Sequence, residues 1–166
     1  SNKYLSMKTI HIRILIISFV ILLAACTNKE KTNFRHATTD LFEYELPNIA
    51  TIDVSFISLK LIFEPLKDIL NDGDDIVALI KPQFEAGRED VGKKGIVKDA
   101  KIHQRVIENV ISYANECQFS IQNLTYSPIT GGEGNIEFLG LFVKEGKETA
   151  INIENVVESA HSCFEG

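Results

Sequence analysis

TIDVSFISLKLIFEPLKDILNDGDDIVALIK, residues 51–81, changes its hydrophobic period twice. Its first part, read with the preceding NIA, predicts a strand over Ala50–Phe56. Leu59, Ile62, Phe63, Leu66, Ile69 and Leu70 then recur three and four apart, the spacing of one helix face. Pro65 interrupts that face and either kinks the helix or marks its first turn. Asn71-Asp72-Gly73-Asp74 is turn chemistry. The run DIVALIK that follows is nearly all apolar, the pattern of a parallel strand covered on both faces. Strand, helix and strand in this order form the repeating unit of a parallel α/β sheet.

Toward the C-terminus, Pro82 to about Asp99 reads as a long loop, and loops of that length in compact domains are usually functional or disordered. KIHQRVIENVISYANECQ is a helix, with Ile102, Val106, Val110, Ile111 and Ala114 on one face and Asp99 as N-cap. FSIQNLTYSP and GNIEFLGLFVK read as two strands joined by ITGGEG, whose glycines favour a hairpin turn over a phosphate cradle because no helix follows. INIENVVESAHSCF closes the chain as an amphipathic helix. The order predicts a parallel sheet ending in an antiparallel hairpin. In open sheets of this kind the ligand crevice lies beyond the carboxyl ends of the strands. Asp53 lies late in the first strand, Lys81 ends the second and Glu137 lies on the last, so the three are expected to meet at one rim.

The 166 residues fit one domain, and 45% hydrophobic content can fill a core. A formal charge of −6 argues against a broad nucleic-acid surface but leaves room for a local basic patch. Cys26, Cys117 and Cys163 are too scattered for a zinc site or a disulfide framework, no metal is expected, and Cys117 and Cys163 read as small packed residues. Residues 1–29 differ in character from the rest. Met7, Lys8 and Arg13 precede an uncharged apolar run, Ile14 to Ala25, too short to span a bilayer at about 20 residues. It has the length of a signal-peptide core and ends in Leu23-Ala24-Ala25-Cys26, similar to a bacterial lipobox, with Cys26 as the lipidated residue. The alternative for this run is a buried strand or core helix.

A carboxylate inside an apolar strand is costly unless it meets water or a partner. Each of Asp53, Lys81 and Glu137 read alone is a solvated residue near a strand end. Read together, an amine flanked by two carboxylates is mutually stabilising. Such an amine can take a proton from a substrate hydroxyl while the carboxylates fix its direction. With an electrophilic methyl group held in line, positioning supplies much of the remaining rate.

The blocks DVSFISL, LIKPQFEAGREDVGKKGIVKD, HQRVIENV and SPITGGEGNIEFL closely resemble the TlyA (hemolysin A) family of FtsJ-like ribosomal RNA methyltransferases. The resemblance runs from about Lys31 to the C-terminal helix. It implies a partial Rossmann-like, FtsJ-type methyltransferase fold over residues 30–166 and S-adenosylmethionine-dependent methylation of a ribose 2′-hydroxyl on ribosomal RNA. It makes Asp53 in IDVSF, Lys81 in IKPQF and Glu137 in NIEFL the catalytic set, with Lys81 as general base. It places Asn33 and Asp53 against the cofactor. Arg88, Lys93, Lys94 and Lys98 become phosphate contacts for the RNA; as plain charges they are a solvated loop balanced by Glu89, Asp90 and Asp99.

The chain also departs from that family. An RNA-binding S4 domain, a first catalytic lysine and a glycine-rich cofactor loop are expected ahead of the Asp53 strand, yet no glycine precedes Gly73. The expectation is therefore the C-terminal half of the enzyme behind a lipoprotein-like leader, binding cofactor poorly by itself and inactive as this chain. Its partner would be ribosomal RNA or a ribosomal subunit rather than DNA, in the cytoplasm. The rival expectation is a membrane-anchored lipoprotein with a non-catalytic binding role.

Overall fold

The computed structural model describes residues 46–164 in full and residues 14–19 as backbone. Among the described residues five strands form one sheet in the order β1-β2-β3-β5-β4. β1 is Ile14–Phe19, β2 Ile49–Val54, β3 Asp75–Ile80, β4 Phe119–Tyr126 and β5 Phe138–Lys144. The first three are parallel; β5 runs antiparallel to both β3 and β4 and lies between them. The expected parallel sheet with an antiparallel end is thus present. The first residues of the apolar run Ile14 to Ala25 pair with β2, Ile14 beside Ile49 and Phe19 beside Val54. The remainder of that run, Cys26 and Asn33 lie outside the described residues.

Among the described residues four helices accompany the sheet: α1 Lys60–Ile69, α2 Pro82–Glu85, α3 Ala100–Glu116 and α4 Ile153–Phe164. α1 turns Ile62, Phe63, Pro65, Leu66 and Ile69 inward, so Pro65 sits inside the helix on its buried face. Phe63 meets Phe142 edge-on at 5.3 Å and Phe119 at 6.0 Å, joining α1 to β5 and β4. Asp99 caps α3 as its sequence position predicts, accepting from the Lys101 N–H at 2.8 Å. One core takes in Ile52, Ile76, Ile80, Val106, Ile107, Phe138 and Val157, contributions from β2, β3, α3, β5 and α4. β3 buries Ile76, Ala78 and Ile80 but leaves Val77 and Leu79 half-buried. Its apolar run therefore reflects one buried face and one half-covered face rather than two buried ones.

Several boundaries differ from the sequence reading. β2 stops at Val54 because the chain bends at Ser55–Ile57, with Phe56 at φ 61°. The long loop folds into α2, which Pro82 starts at its first turn, and a 3₁₀ turn at Arg88–Asp90. The β4–β5 connection is wider than a tight hairpin, because Tyr126 pairs with Phe138 and a 3₁₀ turn at Gly132–Gly134 lies between them. His103, fully buried on α3, reaches the Val97 carbonyl through Nε2 at 3.0 Å and His161 on α4 through Nδ1 at 2.9 Å.

Lys144 closes the far end of the sheet. Its Nζ donates to the carbonyls of Lys67 and Leu70, at 2.6 and 2.7 Å, at the end of α1. Lys144→Met leaves those carbonyls without this donor and is expected to cost about 1–3 kcal/mol, lowering Tm by roughly 3–9 °C in a thermal melt. Asp72 approaches Lys144 only at 4.0 Å and is largely exposed, so Asp72→Asn is expected to leave Tm within about 1–2 °C.

Candidate active site

Strand direction assembles the site. β2 and β3 run the same way, and β5 opposes them, so the start of β5 lies beside the end of β3, with Phe138 paired to Ile80. Asp53, Lys81 and Glu137 consequently share one rim of the sheet. Glu137 stands immediately before β5 rather than within it.

Lys81 leaves β3 in extended conformation and precedes α2. Its Nζ lies 2.6 Å from Asp53 Oδ1 and donates to Ser55 Oγ at 3.3 Å. The Lys81 side chain is 13% exposed and that of Asp53 63%, so the pair contributes little to stability but fixes the amine's direction. Glu137 is 7% exposed. Among the described residues no hydrogen bond or ion pair joins Glu137 to Lys81 or Asp53. The expected three-group contact resolves instead into the Lys81–Asp53 pair and a separate Glu137. Gln83, on the turn that follows Lys81, donates from Nε2 to Glu137 Oε1 at 2.9 Å. The other amide atom, Gln83 Oε1, is buried without a partner. Gly131 makes the seat of Glu137 possible: a Cβ there would fall 2.1 Å from Glu137 Oε1.

Four residues that the sequence reading passed over support this rim. Gln83 is one. Glu85 is the second: Oε1 accepts from the Leu59 N–H and Oε2 from the Ser58 hydroxyl, both at 2.7 Å, tying α2 to the start of α1. Withdrawal from water pushes the Glu85 carboxyl up from 4.5 to about 7, against the opposing pull of the Leu59 and Ser58 donors. The third is Phe56, 73% exposed, its ring 4.7 Å from Phe84. A bulky residue at positive φ is uncommon and is held here beside Ser55, a partner of Lys81. The fourth is Asn135, buried at 2% exposure in the loop that carries Glu137. Their partners are remote in the chain, so period and spacing do not reveal them.

Glu85 has a measurable consequence. The unfolded chain loses this proton near 4.5, whereas the folded protein keeps it to about 7. Between those values unfolding releases a proton, so the contribution is complete below 4.5 and declines as pH rises through about 7. Glu85→Gln can still accept from Leu59 and donate to Ser58 without titrating. Chemical denaturation at pH 5 and 8 is expected to show the native chain losing about 1–3 kcal/mol more than this variant on going to the higher pH. Equal changes in the two would remove Glu85 as the source.

Other expected residues are scattered. Arg88 is exposed on the 3₁₀ turn after α2. Lys93, Lys94 and Lys98 are exposed around a separate cavity at the start of α3. Cys117 is half-buried against the core, with its thiol pushed up by burial, but Cys163 is exposed rather than packed. Among the described residues no group of His, Cys, Asp or Glu could hold a metal ion, and no helix is long and apolar enough to cross a membrane.

The sequence profile of the FtsJ-like methyltransferases matches residues 10–144, from just before β1 to the end of β5. The Bacillus subtilis (strain 168) protein named "Putative rRNA methyltransferase YqxC" is 52% identical over 142 residues, which is 81% of this chain and 50% of that protein. The 16S/23S rRNA (cytidine-2′-O)-methyltransferase TlyA of Mycobacterium tuberculosis (strain ATCC 25618 / H37Rv) is 30% identical over 135 residues, 81% of this chain and 50% of its own. A solved structure titled "Putative hemolysin from Streptococcus thermophilus" superimposes with a TM-score of 0.76 at 48% identity, over 80% of this chain and 49% of that one. The chain spans about half the length of the curated relatives it matches. With the profile covering β1 to β5, the chain belongs to the FtsJ-like methyltransferase family.

Proposed function

We propose that this chain carries the acceptor side of a methyltransferase that modifies a ribose 2′-hydroxyl of ribosomal RNA, with S-adenosylmethionine as methyl donor. The observation that carries this reading is the Lys81–Asp53 pair at 2.6 Å, with Glu137 on the same rim held by Gln83, two positions after Lys81. A sugar hydroxyl becomes a useful nucleophile only when its proton has somewhere to go. Lys81 Nζ is assigned that proton in its neutral form, so the ammonium paired with Asp53 must first release a proton to solvent. Asp53, exposed to the crevice and paired with the amine, sets the direction in which Nζ points. Glu137, held by Gln83 in a position only a glycine neighbour allows, completes the polar wall on which the ribose is oriented. The exposed face of Phe56 offers a surface on which a base can stack beside that wall. Arg88, Lys93, Lys94 and Lys98 are assigned to the RNA phosphates.

The described residues fit the acceptor half of such a site: a shielded amine beside an exposed carboxylate. When bound, the cofactor supplies an electrophilic methyl group. Asn33, assigned to its adenine, lies outside the described residues, and among the described residues Asp53 alone is assigned to it. No glycine precedes Gly73, so the backbone has no glycine with which to approach a cofactor ahead of β2. Isothermal titration of the chain with S-adenosylmethionine is accordingly expected to give a Kd above about 100 μM, weaker than about −5.5 kcal/mol. A low-micromolar Kd would contradict the weak-cofactor part of the proposal.

A further inference from the structure

We propose that His103 is a positioning residue for Glu137, acting through the Val97 peptide and the Asn135 side chain, and that His161 of the C-terminal helix orients it. That Glu137 has a part in the reaction rests on the methyltransferase reading above. The line of contacts rests on geometry alone.

His103 lies fully buried in the first turn of α3. A carbonyl can only accept, so His103 Nε2, 3.0 Å from the Val97 carbonyl, carries a proton. In the neutral imidazole Nδ1 is then the acceptor, and His161 Nε2 donates to it at 2.9 Å. Both ring nitrogens are used, and the ring is held from α4. The buried Val97 is gripped from its other side as well, where its N–H donates to Asn135 Oδ1 at 3.0 Å. Asn135 Nδ2 donates to the Gly95 and Gly132 carbonyls at 2.9 and 3.0 Å, so this amide is satisfied at both ends. His161, His103, Val97 and Asn135 thus form one line of hydrogen bonds from α4 to the loop that carries Glu137.

The line ends where the carboxylate is set. Asn135 stands two positions before Glu137, and its carbonyl accepts from the Gly131 N–H at 2.8 Å. Gly131 is the residue against which the Glu137 carboxylate rests. Asn135 therefore fixes both the backbone ahead of Glu137 and the glycine beside it. His103 meets the same segment a second time, its ring edge-on to Phe138 at 5.5 Å, immediately after Glu137. An apolar side chain would fill the place of His103 without burying two ring nitrogens, which are costly there unless paired. A fully paired polar line holds one arrangement where apolar contacts tolerate several. Breaking one link leaves a buried partner unpaired, and the loop must shift to recover it. A shift at Asn135 reaches the Glu137 carboxylate and its bond from Gln83.

The test is solution NMR on the whole nitrogen-labelled chain, read at the Gln83 side-chain amide, which donates to Glu137. In the native chain that amide is expected to be protected from solvent exchange. His103→Leu is expected to lower its protection by about tenfold or more, while amides at the Asp75–Val143 end of the sheet keep native protection. His161→Leu is expected to act in the same direction with smaller size. His161→Gln can still donate to His103 Nδ1 and is expected to stay within about twofold of native. In methyl transfer with S-adenosylmethionine far above its expected Kd, His103→Leu is expected to lower kcat about tenfold with KM for RNA unchanged. In a Glu137→Ala background the same change is expected to add less than about twofold, because its route runs through Glu137.

A folded His103→Leu chain with native protection at Gln83 overturns the proposal. Protection lost equally at Gln83 and at the Asp75–Val143 end also overturns it, by reducing His103 to packing. Full additivity with Glu137→Ala does the same. Should His103→Leu not fold, the two His161 variants decide, and equal behaviour of leucine and glutamine counts against the proposal. A Gln83 response in a chain that transfers no methyl to ribose would sink the methyltransferase reading and leave the positioning line standing. Native transfer by His103→Leu, abolished by Lys81→Met, would do the reverse.

Discussion

Lys81→Met is expected to lower methyl transfer to ribosomal RNA by about 10²–10⁴-fold, measured at saturating cofactor, while Tm moves by only about 1–3 °C. The two halves of this expectation have different physical sources. The Lys81 amine is the group assigned the ribose proton, and methionine keeps the length of the side chain without a site for it. Loss of a positioned acid or base typically removes a factor of this size. The stability half follows from exposure. Asp53 is 63% exposed, so the ion pair gains little Coulomb energy over water, and the carboxylate left behind is already solvated. A lysine kept mostly from solvent with little stability in return has another use. Asp53→Asn sharpens the assignment. It leaves Nζ an acceptor of reduced strength, and its expected loss, about 10–10²-fold, is smaller than that of Lys81→Met because direction is degraded while the proton site remains.

Gly131→Ala is expected to reduce transfer by about 10²-fold with a stability cost of only about 1 kcal/mol, a separation that few substitutions in a packed region produce. The backbone at Gly131 has φ −75° and ψ −165°, ordinary for any residue, so no strain arises from conformation. What the methyl group meets is the Glu137 carboxylate, 2.1 Å from Oε1 and 2.4 Å from Cδ. The far end of a side chain can swing aside, and the hydrogen bond from Gln83 is lost as it does so. The carboxylate leaves its place while the backbone stays. Since displacements near 1 Å at a reacting centre cost about 10²-fold, the substitution reads out the position of Glu137 rather than its presence. Glu137→Gln provides the comparison: it retains size and place, and a larger loss than that of Gly131→Ala would assign the charge itself a role. Parallel thermal melts separate either effect from general unfolding.

Much of the architecture was legible because burial imposes a period. The face Ile62, Phe63, Leu66 and Ile69 reappears as the buried side of α1, and Asp99 caps α3 through its own side chain. The apolar run of β3 has the pattern of a strand covered on both faces, yet Val77 and Leu79 are only half-buried, which is enough for apolar residues to be tolerated there. Pro65 was ambiguous in sequence because proline is tolerated early in a helix and costly later. In the fold it lies on the buried face of α1. The rim charges were legible for a topological reason: whichever strand β5 joins, running antiparallel to β3 brings its start to the end of β3.

The contacts within the site were less legible. Gln83 bridges to Glu137 across 54 positions and Asn135 reaches Val97 across 38, distances at which neither period nor motif carries information. Glu85 stands in a stretch that reads as a loop, yet it is withdrawn from water between two donors of the β2–α1 connection. Phe56 fitted a strand pattern until its positive φ ended the strand and turned the ring outward onto Phe84. The segment Ile14–Phe19 shows the limit of composition as a guide. An apolar run with a basic start fits a leader, and the same residues pair with β2 as a parallel edge strand.

The most direct measurement is the chemical position of the methyl group. The inactivity expected of this chain follows from weak cofactor binding, so ribosomal RNA is incubated with the chain and isotopically labelled S-adenosylmethionine at a concentration far above the expected Kd of more than about 100 μM, then digested to nucleosides and resolved by mass spectrometry. An amine paired with one carboxylate, with a second carboxylate on the same rim, predicts label on the ribose, in a nucleotide whose 3′ linkage resists alkaline cleavage, and its disappearance with Lys81→Met. Label on a base, or ribose label undiminished by Lys81→Met, would contradict the account.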